Sequence, residues 1–182
     1  MLYLITFKAF NKYYEAYKGV FDNFLVRVKF PKPKIKAKVV DPELPSEELT
    51  PFENEFVKLA YPANFDIKFP EAKGEVKFSM QITAYRQDCN FSMDMRPAKN
   101  LTVEKVFEQN SKNFKATNKG ESKIDEQKAI WIDYTPMSQI KSRVYFVVKS
   151  DKFYRLFINY YSPKKDKYLP AFEKIVGSVK LK

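Results

Sequence analysis

The stretch from Ser142 to Tyr161, SRVYFVVKSDKFYRLFINYY, restricts the fold more than any other part of the chain. Val144, Phe146 and Val148 alternate with Tyr145, Val147 and Lys149. After the polar turn Ser150-Asp151-Lys152, Tyr154, Leu156, Ile158 and Tyr160 fall on one side of a second run; Phe153, Arg155, Phe157, Asn159 and Tyr161 fall on the other. Such alternation of aromatic and β-branched residues marks strands, because successive side chains leave opposite faces of the pleat. Both faces are largely apolar, so both must be covered. A hairpin alone is at best marginal in water. It is therefore expected in the middle of an antiparallel sheet with layers on both sides.

The residues flanking the hairpin supply those layers. From Phe56 onward the chain reads as strands around the Pro62-Ala63-Asn64 turn, then strands over Val76 to Tyr85 and Phe91 to Met95. Thr102 is placed to cap a helix whose buried face carries Val103, Val106, Phe107, Asn110 and Phe114, with Glu104 near its positive end. Asn118-Lys119-Gly120 reads as a turn. Lys128 to Tyr134 reads as a strand that buries Trp131. A short helix with Leu169, Phe172, Ile175 and Val176 on one side is expected to carry Pro170 in its first turn and to end at Gly177. Val179 and Leu181 make a last edge strand. Hairpin-connected strands with inserted helices predict an α+β fold, an antiparallel β-sheet sandwiched between helices.

The first third of the chain differs in kind. Residues 1–30 hold an amphipathic helix, predicted over residues 5 to 26, followed by a strand-like tail. Phe10, Tyr14, Tyr17, Phe21 and Phe24 recur at helical spacing as an aromatic stripe. Residues 31–55 read as a stiff Pro- and charge-rich arm. Lys32, Lys34, Lys36 and Lys38 alternate with apolar residues or proline, and the acidic block from Asp41 to Glu48 follows. The sandwich domain is expected over 56–182.

Charge and composition exclude much chemistry. The chain has 182 residues, a net charge of +11 and 0 histidines. Without histidine there is no His-dependent triad and no His-ligated metal. Cys89 is the single cysteine, so no internal disulfide forms, and no histidine stands by to activate the thiol. That usage fits a reducing compartment or an organelle better than disulfide-rich extracellular space. The carboxylates Asp125, Glu126 and Asp133 read as turn or surface groups. No catalytic residue, metal site or cofactor is expected. No apolar run is long enough for a membrane span, and MLYLITFKAF lacks the features of a signal peptide.

Several motifs resemble the PsbP family, the extrinsic proteins of the photosystem II oxygen-evolving complex, and the Ran-binding proteins of the same fold. Tyr61-Pro62 with Phe65 and Phe69-Pro70 is similar to the family's opening motif, and Ala129-Ile130-Trp131-Ile132-Asp133-Tyr134 to its central strand. Asp151 to Leu156 resembles its hairpin, and Phe172 to Val179 its closing helix and strand. The resemblance spans about residues 56 to 182. It implies a sheet sandwiched between helices and a non-catalytic binding role. The histidines implicated in ion binding by some members have no counterpart here.

Two roles are expected on these grounds. One is a non-catalytic accessory or structural subunit of a larger protein assembly, organellar or membrane-associated, with Phe10, Tyr14, Tyr17, Phe21 and Phe24 as partner-binding residues. The alternative is a basic binder of anionic surfaces, RNA phosphate or acidic lipid, for example a ribosome-associated protein. Its contacts would be Lys32, Lys34, Lys36, Lys38, Lys164, Lys165 and Lys167. No small-molecule substrate is indicated.

Overall fold

The computed structural model describes residues 4–29 and 41–182. The chain falls into two compact units, Met1–Lys38 and Val39–Lys182. The second unit is an α+β sandwich. Its strands are β1 (Leu49–Glu53), β2 (Val57–Pro62), β3 (Asp66–Lys68), β4 (Phe78–Thr83), β5 (Asn90–Pro97), β6 (Ala116–Ile124), β7 (Gln127–Met137), β8 (Ile140–Lys149), β9 (Lys152–Tyr161) and β10 (Lys180–Leu181). Its helices are α2 (Val103–Ser111) and α3 (Lys165–Ser178), and the first unit carries α1 (Tyr14–Arg27).

Seven strands form an antiparallel sheet in the order β3-β4-β5-β9-β8-β7-β6, which places the β8–β9 hairpin in its interior. The hairpin closes through Ser150 and Asp151, whose φ angles of 49° and 57° are those of a two-residue turn matched to strand twist. Alternation then divides the apolar residues. Tyr145, Val147, Tyr154, Leu156 and Ile158 enter a core shared with β2, β4, β5 and α3. Val144, Phe146 and Phe153 enter the opposite core with Ile130, Ile132 and the α2 residues Val103 and Val106. A smaller sheet, β1-β2-β10, joins α3 on the first face. Thr102 caps α2, its Oγ1 accepting the Lys105 N–H at 3.5 Å.

Several boundaries differ from those read in the sequence. The sheet begins at β1, inside the stretch assigned to the arm; Pro51 is tolerated because β1 is an edge strand. Asn118, Lys119 and Gly120 lie within β6, and the turn is instead at Asp125 and Glu126, with φ of 48° and 63°. α3 is longer than expected and begins at Lys165, so Pro170 lies beyond its first turn. Pro170 is exposed, and the loss of one intrahelical N–H donor costs least on a solvent-facing side of a helix. Gly177 is inside α3; the helix ends at Ser178, whose Oγ donates to the Ile175 carbonyl at 2.7 Å and accepts the Ala60 N–H at 2.9 Å.

Trp131 is half-buried rather than buried. α3 packs against β2 and β9, so it leaves the β6–β7 margin of this face uncovered. The indole lies over Gly120, its cross-strand partner, and the Arg143 guanidinium stacks 4.2 Å from the ring centroid. The bare backbone at Gly120 is thus shielded by the neighbouring ring.

Candidate functional site

Of the thirteen exposed large apolar side chains among the described residues, nine lie between Leu4 and Val26. Large rings are normally spent on cores, so this density marks the first unit as the candidate site. Residues 5 to 10 are not helical. A short 3-10 turn over Asn11–Tyr13 leads into α1, and Phe7 returns to stack on Phe21 at 4.7 Å and edge-on to Phe24 at 5.6 Å. The helix starts at Tyr14, later than the expected residue 5. Tyr17 stacks on Phe21 at 6.3 Å. Of the five predicted stripe residues, Tyr17, Phe21 and Phe24 share a cluster with Phe7, which the sequence pattern did not single out. Phe21 is half-buried at its centre, Tyr14 opens α1, and Phe10 lies before the helix in extended backbone rather than on the stripe. Phe10, Tyr14, Tyr17 and Phe24 remain 81%, 48%, 51% and 52% exposed.

The structure places the predicted lysines less uniformly. Lys32, Lys34, Lys36 and Lys38 lie outside the described residues. Lys164 sits in the 3-10 turn before α3, Lys165 opens that helix and Lys167 follows; the last two are exposed. Lys164 is engaged at home, with its Nζ 2.9 Å from a Glu43 carboxylate oxygen. Its ammonium is held above the ordinary lysine range chiefly by that hydrogen bond. The acidic block that carries Glu43 is strapped onto the domain. Tyr168 donates its hydroxyl to the Glu43 carbonyl at 2.6 Å, and Asn64 donates to the Leu44 carbonyl at 2.8 Å while accepting the Ser46 N–H at 2.8 Å. Sequence patterning showed an acidic block; only the fold shows that it meets Lys164 of the 3-10 turn and Tyr168 of α3.

Several other ionisable groups are tied into structure. Asp125 is opposed by burial, yet hydrogen bonds from Lys149 and Lys180 hold its carboxyl below the ordinary range; the distances are 2.7 and 3.1 Å. Asp133 receives both Nε and Nη2 of Arg143, at 2.7 and 3.1 Å. Asp94 is bound by Arg155 at 2.6 Å, and Ser142, Asn159 and Asn90 form a hydrogen-bonded row across the same sheet. Cys89 is fully buried, and burial pushes its thiol up to about 11, the opposite of an activated nucleophile. Among the described residues, no three His, Cys, Asp or Glu side chains converge as metal ligands. The helices described include none long and apolar enough to cross a membrane.

No family model and no curated protein sequence matches the chain. Solved structures do. The solution structure of cyanobacterial PsbP (CyanoP) from Synechocystis superposes with a TM-score of 0.54 at 11% identity, covering 83% of this chain and 100% of that one. A Pseudomonas aeruginosa protein of unknown function, described as a putative regulator, aligns at 12% identity over 71% of this chain and 94% of its own, with a TM-score of only 0.41. The fold is PsbP-like, as the motifs around Tyr61-Pro62 and Phe172 implied.

Proposed function

We propose that the chain is a non-catalytic accessory subunit, in which the PsbP-like domain is held to a larger assembly by its aromatic N-terminal unit. The observation that carries this reading is the concentration of exposed rings on one short unit, at Phe10, Tyr14, Tyr17 and Phe24. An apolar surface of that density is unfavourable in water and favourable once covered, at about 25 cal/mol per Å² removed from solvent. The state of the ionisable groups among the described residues agrees with this reading. The carboxylates Asp94, Asp125 and Asp133 are neutralised by Arg or Lys, and the single thiol is buried and deactivated. The binding role implied by the PsbP resemblance agrees with it.

The test is native electrophoresis of the tagged chain in its own cells. The wild type should migrate far above its 21.5 kDa mass. Tyr17→Ser/Phe21→Ser should migrate as a free chain while its domain keeps the wild-type unfolding transition. A wild type that runs as a free monomer refutes the proposal.

A further inference from the structure

α1 is arranged more specifically than a generic sticky helix. At about 100° per residue, Tyr14, Tyr17, Val20, Phe21, Phe24 and Leu25 fall within an arc of about 140°. Lys18 stands about 20° outside one border of that arc, next to Leu25, and Arg27 stands about 20° outside the other, next to Val20. Glu15 and Asp22 lie on the polar side, about 80° and 60° back from the Leu25 border, with Asp22 one turn beyond Lys18. Val26 is the one large apolar residue there. Before the helix, Lys8 is exposed and Lys12 sits over the Tyr13 ring at 4.7 Å. Residues 4–29 thus hold the cations Lys8, Lys12, Lys18, Arg27 and Lys29 against the two acids.

Cations along both borders of an aromatic face, with acids withdrawn, match an anionic lipid–water interface. There the rings sit at headgroup level while long basic side chains reach back to phosphate. Tyrosine suits this depth because its ring is apolar and its hydroxyl stays wet. A 14-residue helix of about 21 Å lies along such a surface rather than through it. We infer that α1 and its lead-in bind an anionic phospholipid surface, with Tyr14, Tyr17, Phe21 and Phe24 in the headgroup layer and Lys18 and Arg27 on lipid phosphate. This rests on the accessory-subunit reading, whose assembly would then present its lipid to this unit.

The test is flotation of the purified full-length chain with vesicles of phosphatidylcholine alone or mixed with phosphatidylglycerol at 7:3. Binding to the anionic vesicles should be about tenfold tighter or more, since each basic group near an anionic surface contributes roughly a further factor of five. Lys18→Glu/Arg27→Glu should remove most of that preference. Tyr17→Ser/Phe21→Ser keeps every charge on the chain, and should still lose binding. If it binds like the wild type, the basic domain alone is responsible and the inference is overturned. Equal binding of the wild type to both vesicles, or unchanged binding after the charge reversal, also overturns it. If vesicle binding fails while Tyr17→Ser/Phe21→Ser still releases the chain on native gels, the lipid partner is wrong and the accessory role stands. If vesicle binding holds while the wild type runs as a free chain, the reverse is true.

Discussion

Replacing Gly120 by alanine tests the packing of the uncovered sheet margin with a single methyl group. Elsewhere in a strand this change is neutral or stabilising, because glycine weakens strands. Gly120 has no positive φ, so the backbone itself accepts a side chain. The obstacle is Trp131: a Cβ at Gly120 would stand 2.5 Å from Cζ2 and 2.8 Å from Cε2. The ring must move, and its stacking with Arg143 goes with it. Overpacking costs about 1–3 kcal/mol, and loss of a half-exposed cation–π contact adds about 0.5–1 kcal/mol. Against a propensity gain of at most about 1 kcal/mol, the variant should lose about 1–3 kcal/mol. For a domain of this size that is roughly 3–10 °C in Tm. Trp131 is the one tryptophan in the chain, so its fluorescence reports both the displacement and the unfolding. In a Trp131→Ala background, Gly120→Ala should cost nothing. The refuting result is a Gly120→Ala protein as stable as the wild type with unchanged emission.

Gly177→Ala should stabilise α3 by about 0.5–1 kcal/mol, read from urea midpoints, because its Cβ meets nothing within 4 Å. Arg155→Leu leaves the half-buried Asp94 without its bidentate partner and should cost about 2–3 kcal/mol; a neutral result on the same denaturation curve would show the pair to be dispensable. Burial pushes Tyr154 and Tyr168 up to about 12 from the ordinary value of 10.0. Their contribution to stability is therefore complete below pH 10 and is lost between about pH 10 and 12, where only the unfolded state ionises readily. Tyr168→Phe should shift less over that range, and should also loosen the Glu43 strap, detectable as faster proteolysis at residues 41 to 48. A fragment of residues 41–182 should unfold cooperatively, whereas 56–182 lacks β1 and should be less stable by calorimetry.

What the sequence determined by itself was whatever repeats locally. The β8–β9 hairpin, the Thr102 cap of α2 and the recurrence of Tyr14, Tyr17, Phe21 and Phe24 along α1 were legible, because a period of two or of 3.6 assigns side chains to faces without reference to the rest of the chain; Phe10, read onto the same stripe, lies before the helix. The motifs around Tyr61-Pro62 and Phe172 likewise pointed to the PsbP-like sandwich that the structure shows. Where the pattern was not local, it misled. β6 carries Asn118, Lys119 and Gly120 on an exposed edge, so it has no apolar alternation, and its glycine is explained only by a ring on the next strand. Trp131 looked like a core residue because Ile130 and Ile132 flank it. Its half-exposure follows from α3 lying over β9 and not over β6 and β7. The acidic block at 41 to 48 read only as part of a stiff charged arm, since nothing in its composition names Lys164, Tyr168 and Asn64 as partners. Tertiary structure alone decided which surfaces a layer reaches, because a layer's offset depends on packing between residues more than a hundred positions apart, such as Glu43 and Tyr168.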